Sequence, residues 1–582
     1  MVRRRYNTRV MLLLAAAVIG APLGRASAQT FNEFVVPTAN SGPNTLVTAL
    51  DGNMYFDEFL GNRLALITTA GAITEFNTLP LNSLGEVAEP DIAVLGSDGN
   101  IYFTMSQESR IGRLSPSSPN NPTFFNTPTT ASGPGGLTLG PDGNYWFTEI
   151  AVNKIGRLTP GGTITEFTIP TAKSDPERIT LGNDGNLWFT EFTANKIGRI
   201  TPSGTITEFD VPTASSEPRA IKGYVDGTIW FTEEAASKIG QISTSGKVLQ
   251  EIPTPTPNSG PVAIGTGPDG FLWITESAGN KIGRIVSNTI TEFPVPTAGA
   301  APGGFTDGPD SAFWFAEDSG NKIGQFQLVS NGQPLVSSVL PSSRSPQVGN
   351  PATAFATIIN AGQSPATGCM IAPLGDIGGT FQYQTTNPST NALTGTVNTP
   401  VNIAAGAAQT FVIAITPTSP YPPFQVRFGF TCSNANGAPT FFGTNTLQYS
   451  ASTTPVPDVV ALSATPNNDG IMHVLGGSGV IAVATVNVGA SGSITATANT
   501  GSAPLPLALS ICQTNPQTGA CMATAGASVT TTIAAGQTPT FGIFGAASGS
   551  IPFVPQTNRV FVQFTDGSGA VRGATSVAVE TQ

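Results

Sequence analysis

The sequence predicts an all-β protein in three parts: a seven-bladed β-propeller closed by an N-terminal strand, and after it two immunoglobulin-like β-sandwich modules. Three observations carry this prediction. A unit of about 42 residues recurs seven times in the first half of the 582-residue chain. A different unit recurs twice in the second half, and 66 Gly and 48 Pro supply turns throughout. Repeats of this length, each with four short strands, are typical of propeller blades.

Each propeller repeat starts at an aspartate, and the clearest copy starts at Asp184. Its four expected strands are residues 178–181, 187–190, 196–201 and 205–211, where apolar and polar residues alternate between turn signals. The seven repeat aspartates are Asp51, Asp98, Asp142, Asp184, Asp226, Asp269 and Asp310. Large aromatic residues fill one position of the second strand in every copy: Tyr55, Tyr102, Trp146, Trp188, Trp230, Trp273 and Trp314.

The seventh copy lacks its fourth strand, because no Thr-Glu-Phe segment follows residues 325–328. That segment stands instead at the N-terminus, within residues 30–37. We therefore expect the N-terminal strand to complete the last blade and remove an open sheet edge, with Phe34 on the strand within residues 322–328. The propeller would then span residues 29–329.

The second half of the chain has few charges and many short alternating runs, which predicts β-sandwiches. The segment Ile403-Ala-Ala-Gly recurs as Ile533-Ala-Ala-Gly, and both copies continue with Thr-Phe. Asparagines also recur, Asn360 as Asn487 and Asn387 as Asn515. Two related immunoglobulin-like modules are predicted, at residues 330–452 and 456–582. A single larger sandwich is the alternative.

All four cysteines lie in this second half, and in an exported protein they are expected to form disulfides rather than a zinc site. Four cysteines allow three pairings, of which we favour Cys369–Cys432 and Cys512–Cys521 because each lies within one module. The single histidine, His473, also lies in this half. A surface or strand-end position is expected for it, rather than a catalytic one.

Residues 1–28 have the features of a secretory signal peptide: arginines, a short apolar stretch and an Ala-Ser-Ala site before Gln29. We therefore expect a secreted or periplasmic protein. No later segment has 18 consecutive apolar residues, so no transmembrane segment is expected in the mature chain, which we expect to be a monomer. The net charge of −11 argues against a nucleic-acid partner, since phosphate binding needs clustered Lys and Arg.

The loops that lead into the first strands of the blades meet on one face of a propeller, called the top face below. Charged residues flank the shared proline of these loops only in copies two, four and five. The predicted ligand-binding face consists of Glu89, Asp91, Asp175, Glu177, Arg178, Glu217 and Arg219. Its partner would be a small molecule, a glycan or a protein. Glu177 and Glu217 are the candidates for a catalytic base.

A ring of acids lies seven residues after each repeat aspartate, with Met105 as the exception: Glu58, Glu149, Glu191, Glu233, Glu276 and Glu317. One interpretation is a carboxylate-lined mouth that binds Mg²⁺ or Ca²⁺ through oxygen ligands. Glu317, Glu177 and Glu217 are then the candidate metal ligands. The alternative is structural: each glutamate accepts hydrogen bonds from the Asn-Lys hairpin that follows it. The repetition favours the structural interpretation, because function belongs to one site on a fold.

Copies that read Trp-Phe-Thr-Glu-x-x-x-Asn-Lys-Ile-Gly-Arg-Ile-Thr, then Thr-Glu-Phe-x-Val-Pro-Thr, resemble the virginiamycin B (streptogramin B) lyase family over about residues 29–329. The resemblance implies a seven-bladed propeller that linearises a cyclic depsipeptide antibiotic by elimination at its ester, with Mg²⁺ and a histidine base. That family carries Pro-His in the loops leading into its last two blades, and a Glu before the final Pro-His. Val262, Gly303 and Ala301 occupy these positions here. The C-terminal modules are additional to the minimal lyase.

Removing a proton beside a carbonyl needs a placed base, and the first half of the chain contains no histidine. We therefore favour an exported binding or scaffold protein whose top face recognises a ligand, with the immunoglobulin-like modules as spacers or adhesion units. The alternative is an enzyme, either a divergent lyase or a metal-dependent hydrolase. Its substrate would be a cyclic ester or peptide, or a sugar-lactone-type compound.

Overall fold

The computed structural model describes residues 29–80, 88–328, 334–375, 377–435, 437–467, 469–501, 503–555 and 557–581. The expected signal peptide and the expected boundary at 329/330 lie outside these residues. Seven four-stranded antiparallel sheets form the first half, which confirms the propeller. No helix in the described ranges has the length and apolar character needed to cross a bilayer.

In each blade the strands run in sheet order from the central channel to the rim. They are Pro43–Thr48, Met54–Glu58, Arg63–Ile67 and Ile73–Glu75 in blade 1; Pro90–Leu95, Ile101–Met105, Arg110–Leu114 and Thr123–Asn126 in blade 2; Pro134–Leu139, Tyr145–Glu149, Lys154–Leu158 and Ile164–Thr168 in blade 3; Pro176–Leu181, Leu187–Glu191, Lys196–Ile200 and Ile206–Asp210 in blade 4; Pro218–Gly223, Thr228–Glu233, Lys238–Ser243 and Val248–Pro253 in blade 5; Pro261–Thr266, Leu272–Glu276, Lys281–Val286 and Thr289–Pro294 in blade 6; and Pro302–Asp307, Phe313–Glu317, Lys322–Gln327 and Thr30–Val35 in blade 7. A short 3₁₀ turn, Ile150–Val152, follows the second strand of blade 3.

The N-terminal strand closes the ring, as the repeat arithmetic predicts. It pairs antiparallel with the third strand of blade 7, and Phe34 lies opposite Ile323. The Phe34 ring stacks on Trp314 with centroids 5.6 Å apart. It also covers Gly71 of blade 1, where an added Cβ would lie 1.9 Å from the ring. The closing strand therefore links the last blade to the first.

Within each blade, the repeat residues form one recurring cluster. In blade 4 the Trp188 indole donates to Asp184 at 3.2 Å and stacks on Phe209 with centroids 5.6 Å apart. Gly198 lies against Phe189 so closely that an added Cβ would meet the ring at 2.1 Å. The glycine of the Lys-Ile-Gly-Arg segment is therefore a packing residue, because any side chain there would displace an aromatic ring.

The linkers that lead into blades 1, 3, 4, 5, 6 and 7 are each clasped by a glutamate from the outer strand of the blade that follows. In blade 3 the Thr129 amide and hydroxyl both donate to the Glu166 carboxylate, at 2.7 and 2.6 Å. Lys154 adds an ion pair to the same carboxylate at 2.7 Å. The equivalent clasp in blade 7 uses Glu33 of the closing strand, which accepts from Thr297 and pairs with Lys322 at 2.8 Å.

Residues 335–451 and 459–581 form further β-sheets, and no sheet combines strands of both segments among the described residues; the two segments are called the first and second sandwich below. The strands of the first are Leu335–Leu340, Ser343–Arg344, Ala352–Asn360, Ala366–Pro373, Gly379–Thr386, Val401–Ile403, Ala408–Pro417, Tyr421–Val426, Phe428–Thr431 and Leu447–Ala451. Those of the second are Val459–Ala464, Ile471–Val474, Ser478–Asn487, Gly492–Asn499, Leu507–Thr514, Ser528–Ile533, Thr540–Ala547, Arg559–Asp566 and Val571–Thr581. The modules at 330–452 and 456–582 and their immunoglobulin-like character stay predictions.

The duplication read from the sequence is visible in side-chain contacts. The Asn360 amide donates to the Ile403 carbonyl at 3.1 Å, and the Asn487 amide donates to the Ile533 carbonyl at 3.0 Å. Both favoured disulfides, Cys369–Cys432 and Cys512–Cys521, are present. The corresponding four-stranded sheets of the two sandwiches also share the same strand order.

The first sandwich packs against the bottom face of the propeller, where the hairpins between first and second strands lie. Arg427 of the sandwich pairs with Asp307, at the end of the innermost strand of blade 7, with Nη1 and Oδ2 2.7 Å apart. Thr440 donates its amide to the Pro309 carbonyl at 2.7 Å. The sandwich is therefore attached at the floor of the central channel.

Candidate functional site

A cavity of about 450 Å³ opens around the channel axis on the top face. The innermost strands of all seven blades contribute to its wall, whose surface is polar and apolar in nearly equal parts. Its apolar side chains come from Leu46, Ile92, Ala93, Leu137, Ile179, Ala220, Ile221, Val262, Ala263, Ile264, Ala301 and Phe305. Its polar side chains come from Asn44, Thr45, Arg178, Arg219, Glu234, Ser277 and Asp318.

Local backbone geometry aims these side chains at the channel. In every blade the register of the first strand shifts just after its proline. Bulges of this kind bend a strand and re-aim side chains. The residue before the proline has a positive φ in all seven blades: Gly42, Glu89, Gly133, Asp175, Glu217, Gly260 and Ala301. The loop conformation is therefore common to the ring, and only the side chains differ.

The structure joins part of the predicted face into one cluster. Arg178 lies between Asp91 and Glu177, with Nη1 3.3 Å from Asp91 Oδ2 and 3.5 Å from Glu177 Oε2. Asn44 of blade 1 donates to Asp91 Oδ1 at 2.8 Å. Arg219 has a separate partner, Glu234, at 2.8 Å. Blades 1, 2 and 4 thus meet at the Asp91 carboxylate.

Other predicted face residues stay outside the cavity wall. Asp175 accepts a hydrogen bond from the Thr193 hydroxyl at 3.1 Å, and Glu89 accepts one from the Gln107 amide at 2.9 Å. Glu217 is half-buried in its loop, as Asp175 is. These three residues share the position before the proline, which forms the turn rather than the wall of the cavity.

Sequence reasoning missed Glu234, Ser277 and Asp318, which line the cavity. All three follow directly after the position of the acid ring. That position reads Phe59, Ser106, Ile150, Phe192, Glu234, Ser277 and Asp318 around the propeller. Its variability beside a nearly constant glutamate is the signal that could have identified it.

The ring of acids lies inside the sheets. All six glutamates are fully buried, so they do not line an open mouth, and the interpretation as a cation-binding mouth is wrong. Neither carboxylate oxygen of Glu191 has a hydrogen-bond partner among the described residues. The Lys196 ammonium lies instead on the outer Glu208, at 3.5 Å, so the expected Asn-Lys partnership with the ring is also wrong.

Burial strongly affects the ionisation of this ring. Burial, and then the charge of Glu208, raise the pKa of Glu191 to about 8. The pKa values of Glu58, Glu149, Glu233, Glu276 and Glu317 rise to about 7, again mainly through burial. Each ring glutamate has a second glutamate of the outer strand as its neighbour. The ring is therefore a structural feature of the blade that favours the protonated carboxyl.

The residues present do not fit a Mg²⁺ site. Octahedral coordination needs several oxygen ligands around one point. Among the described residues, no three His, Cys, Asp or Glu side chains converge in that way. Glu317 is buried within blade 7, while Glu177 is engaged by Arg178.

Fold and cavity together define a seven-bladed β-propeller with a ligand-sized cavity on its top face. The sequence model of the virginiamycin B lyase family matches residues 19–229 and 219–357, more than half of the chain. This chain belongs to the virginiamycin B lyase family. Among curated proteins, none matches it.

Solved structures give similar relatives for the first half of the chain. A streptogramin B lyase is 38% identical, with 51% of this chain and 97% of that chain covered and a TM-score of 0.48. Selenomethionine-substituted virginiamycin B lyase from Staphylococcus aureus is 38% identical, with 52% and 100% covered and a TM-score of 0.49. A catalytically inactive variant of that enzyme, solved with quinupristin, gives the same values.

The three positions at which the family resemblance requires Glu or His all lie in the cavity wall. They are Val262, Ala301 and Gly303. None of them can accept or donate a proton through its side chain. The only histidine, His473, lies in the second sandwich, where Nε2 is 2.8 Å from Asp469 and Nδ1 is 3.0 Å from Glu580.

Proposed function

We propose that this protein is an exported binding protein that holds a small molecule in the top-face cavity and does not linearise it. One observation carries the proposal: the cavity is present, but Val262 and Gly303 stand in its wall where the family places histidines. A cavity of about 450 Å³ that combines apolar side chains with converging polar groups has the size and make-up of a small-molecule site.

Export of the mature chain from Gln29 is part of the same proposal. The two disulfides support it, because such bonds persist in oxidising compartments. Hydrolysis or lyase chemistry from Glu177 or Glu217 has less support. The Glu177 carboxylate is engaged by Arg178, and Glu217 lies outside the cavity wall.

The test has a catalytic arm and a binding arm. In the catalytic arm, residues 29–582 are incubated with quinupristin and Mg²⁺, and mass spectrometry follows the linear product, with the S. aureus virginiamycin B lyase as positive control. We expect no linear product above the protein-free rate, and measurable turnover would overturn the assignment.

In the binding arm, calorimetry with 1-naphthylmethanol compares the native protein with Ala263→Trp, which places an indole in the cavity wall. Binding to the native protein and its loss in the variant are expected. Equal binding to both would place the ligand elsewhere and contradict the proposal.

A further inference from the structure

The two arginines of the cavity both have ion-pair partners within the protein. Arg178 is already shared between Asp91 and Glu177, and Arg219 is paired with Glu234. Both guanidinium groups are therefore neutralised before any ligand arrives. A ligand carboxylate or phosphate would have to displace these protein carboxylates. Binding of such an anion would therefore break existing ion pairs and leave buried carboxylates without their partners.

Asp318 differs from the other acids of the cavity. It follows the second strand of blade 7, and its carboxylate lies over the loop of blade 1, where an added Cβ on Gly42 would be 3.1 Å from Oδ1. No cation forms an ion pair with it within the described residues, and burial alone raises its pKa. It is a carboxyl in the cavity wall with no positive charge beside it.

An aromatic ring lies in the wall of the same blade. Phe305 is half-buried, faces the cavity and is held by Phe313, with ring centroids 4.5 Å apart. Val262, Ala263 and Gly304 lie on the same side of the cavity, together with the Ser277 hydroxyl. An aromatic face and a carboxylate in one wall are the two groups that attract an organic ammonium ion.

The surroundings add negative charge. Glu89, Asp175 and Glu217 lie in the top-face loops that surround the cavity. Each arginine of the cavity wall is paired with an acid, so these three loop acids add an excess of negative charge around the opening, which favours a cationic ligand.

We propose, as an extension of the binding role above, that the cavity selects an organic cation, with its ammonium group at Asp318 and its apolar body against Phe305 and the aliphatic wall. This inference assigns the class of ligand and the anchoring residue. It rests on the proposed function, since it requires that the cavity binds a small molecule.

The test uses three probes of nearly equal shape: 1-naphthylmethylamine as the cation, 1-naphthylmethanol as the neutral form and 1-naphthoate as the anion. Calorimetry with residues 29–582 at pH 7 and low salt measures each dissociation constant. We expect the amine to bind about three- to tenfold more tightly than the alcohol, and the naphthoate most weakly. Added salt should weaken the binding of the amine and leave the binding of the alcohol unchanged.

Two variants locate the effect. Asp318→Asn should reduce the affinity for the amine to that for the alcohol, and it should leave the affinity for the alcohol unchanged. Asp210→Asn removes the same charge from the exposed outer strand of blade 4, where the carboxylate lies 3.7 Å from Lys196. It should preserve the preference for the amine.

Each result decides between the two proposals. Equal affinity of amine and alcohol, or tighter binding of naphthoate, would overturn the cation inference and leave the binding cavity intact. An amine preference that survives in Asp318→Asn would overturn the assignment of the anchor. Failure of all three probes to bind the native protein would overturn the binding function and this inference together.

Discussion

Asp57 is the residue at which blade 1 departs most from its relatives. The other blades have Thr104, Thr148, Thr190, Thr232, Thr275 and Ala316 at this position. In blade 3 the Thr148 hydroxyl accepts from the Gly136 amide at 2.8 Å and donates to the Glu177 carbonyl at 3.0 Å. Asp57 accepts from the Thr45 amide at 2.7 Å instead, and one of its oxygens has no partner among the described residues.

Restoring the residue of the other blades should stabilise the protein. Burial, and then the charge of Asp91, raise the pKa of Asp57 well above its ordinary value. The folded state therefore binds a proton that the unfolded state releases, so stability falls as pH rises above about 4. Asp57→Thr should raise the free energy of unfolding by about 1–2 kcal/mol at pH 8 and by less at pH 4.5.

Urea unfolding followed by tryptophan fluorescence measures this change, because all five tryptophans lie in the propeller. Asp210→Asn serves as the control, since that carboxylate is exposed and its loss should change stability little. A less stable Asp57→Thr at pH 8 would show that the carboxylate makes a net favourable contribution.

The buried Glu191 carboxyl of blade 4 should make the stability of the propeller depend on pH. The folded state raises the pKa of Glu191 to about 8 from an ordinary value near 4.5, so its contribution to stability is present at pH 4.5 and is lost as pH rises to 8. Glu191→Gln should therefore match the native protein at pH 5 and exceed it by about 1–3 kcal/mol at pH 9.

Glu208→Gln is the matched variant from the outer strand. The Glu208 carboxylate accepts from the Thr171 amide and hydroxyl, both at 2.8 Å, and from the Lys196 ammonium at 3.5 Å. Glu208→Gln should destabilise the propeller at pH 9. Denaturation at both pH values separates the two cases, and a Glu191→Gln variant less stable than native at pH 9 would contradict the assignment.

At the scale of elements, the closing strand is the point where the ring is joined, because Phe34 and its partners Trp314 and Ile323 lie at opposite ends of the propeller sequence. Phe34 stacks on Trp314 and covers Gly71 in the way that Phe209 stacks on Trp188 and covers Gly246. The side-chain contacts are alike, but only the first pair joins the two ends of the ring.

Phe34→Ala and Phe209→Ala should therefore lose similar packing energy but differ in their tendency to self-associate. Both remove a half-buried ring and should cost about 2–4 kcal/mol. Only Phe34→Ala releases a terminal strand and exposes the edge of blade 7, which favours strand pairing between molecules. Light scattering across a concentration series should show oligomers for Phe34→Ala and a native-like size for Phe209→Ala. Identical behaviour would mean that closure does not limit ring stability.

At the scale of the whole molecule, local repetition explains what the sequence predicts and what it does not. The blade boundaries, the closing strand and the disulfides follow from residues that recur at fixed spacing, such as Trp188 and Asn360. Asp318 cannot be predicted from repetition, because its position varies from blade to blade although the neighbouring glutamate position is nearly constant. The attachment of the first sandwich cannot be predicted in this way either, because Arg427 and Thr440 belong to no repeat and their partners are distant in sequence.

That attachment predicts coupled unfolding of the propeller and the first sandwich. Asp307 is fully enclosed, and burial raises its pKa to about 6 although the Arg427 charge opposes the rise. Arg427→Met should leave this carboxylate buried without its partner at pH 8, at a cost of about 3 kcal/mol. Because protonation removes the charge, the cost should shrink at pH 5, below the pKa of Asp307.

Tryptophan fluorescence reports the propeller alone, whereas far-ultraviolet circular dichroism reports all sheets. In the native protein, both signals should show the propeller and the first sandwich unfolding together. In Arg427→Met at pH 8, the fluorescence transition should move to a lower denaturant concentration. It should then precede part of the change in circular dichroism. Asp307→Asn combined with Arg427→Met should restore most of the loss, because it removes the stranded charge. An unchanged fluorescence transition in Arg427→Met would mean that the sandwich rests on the channel floor without stabilising it, and the first half would then be expected to fold as an independent propeller.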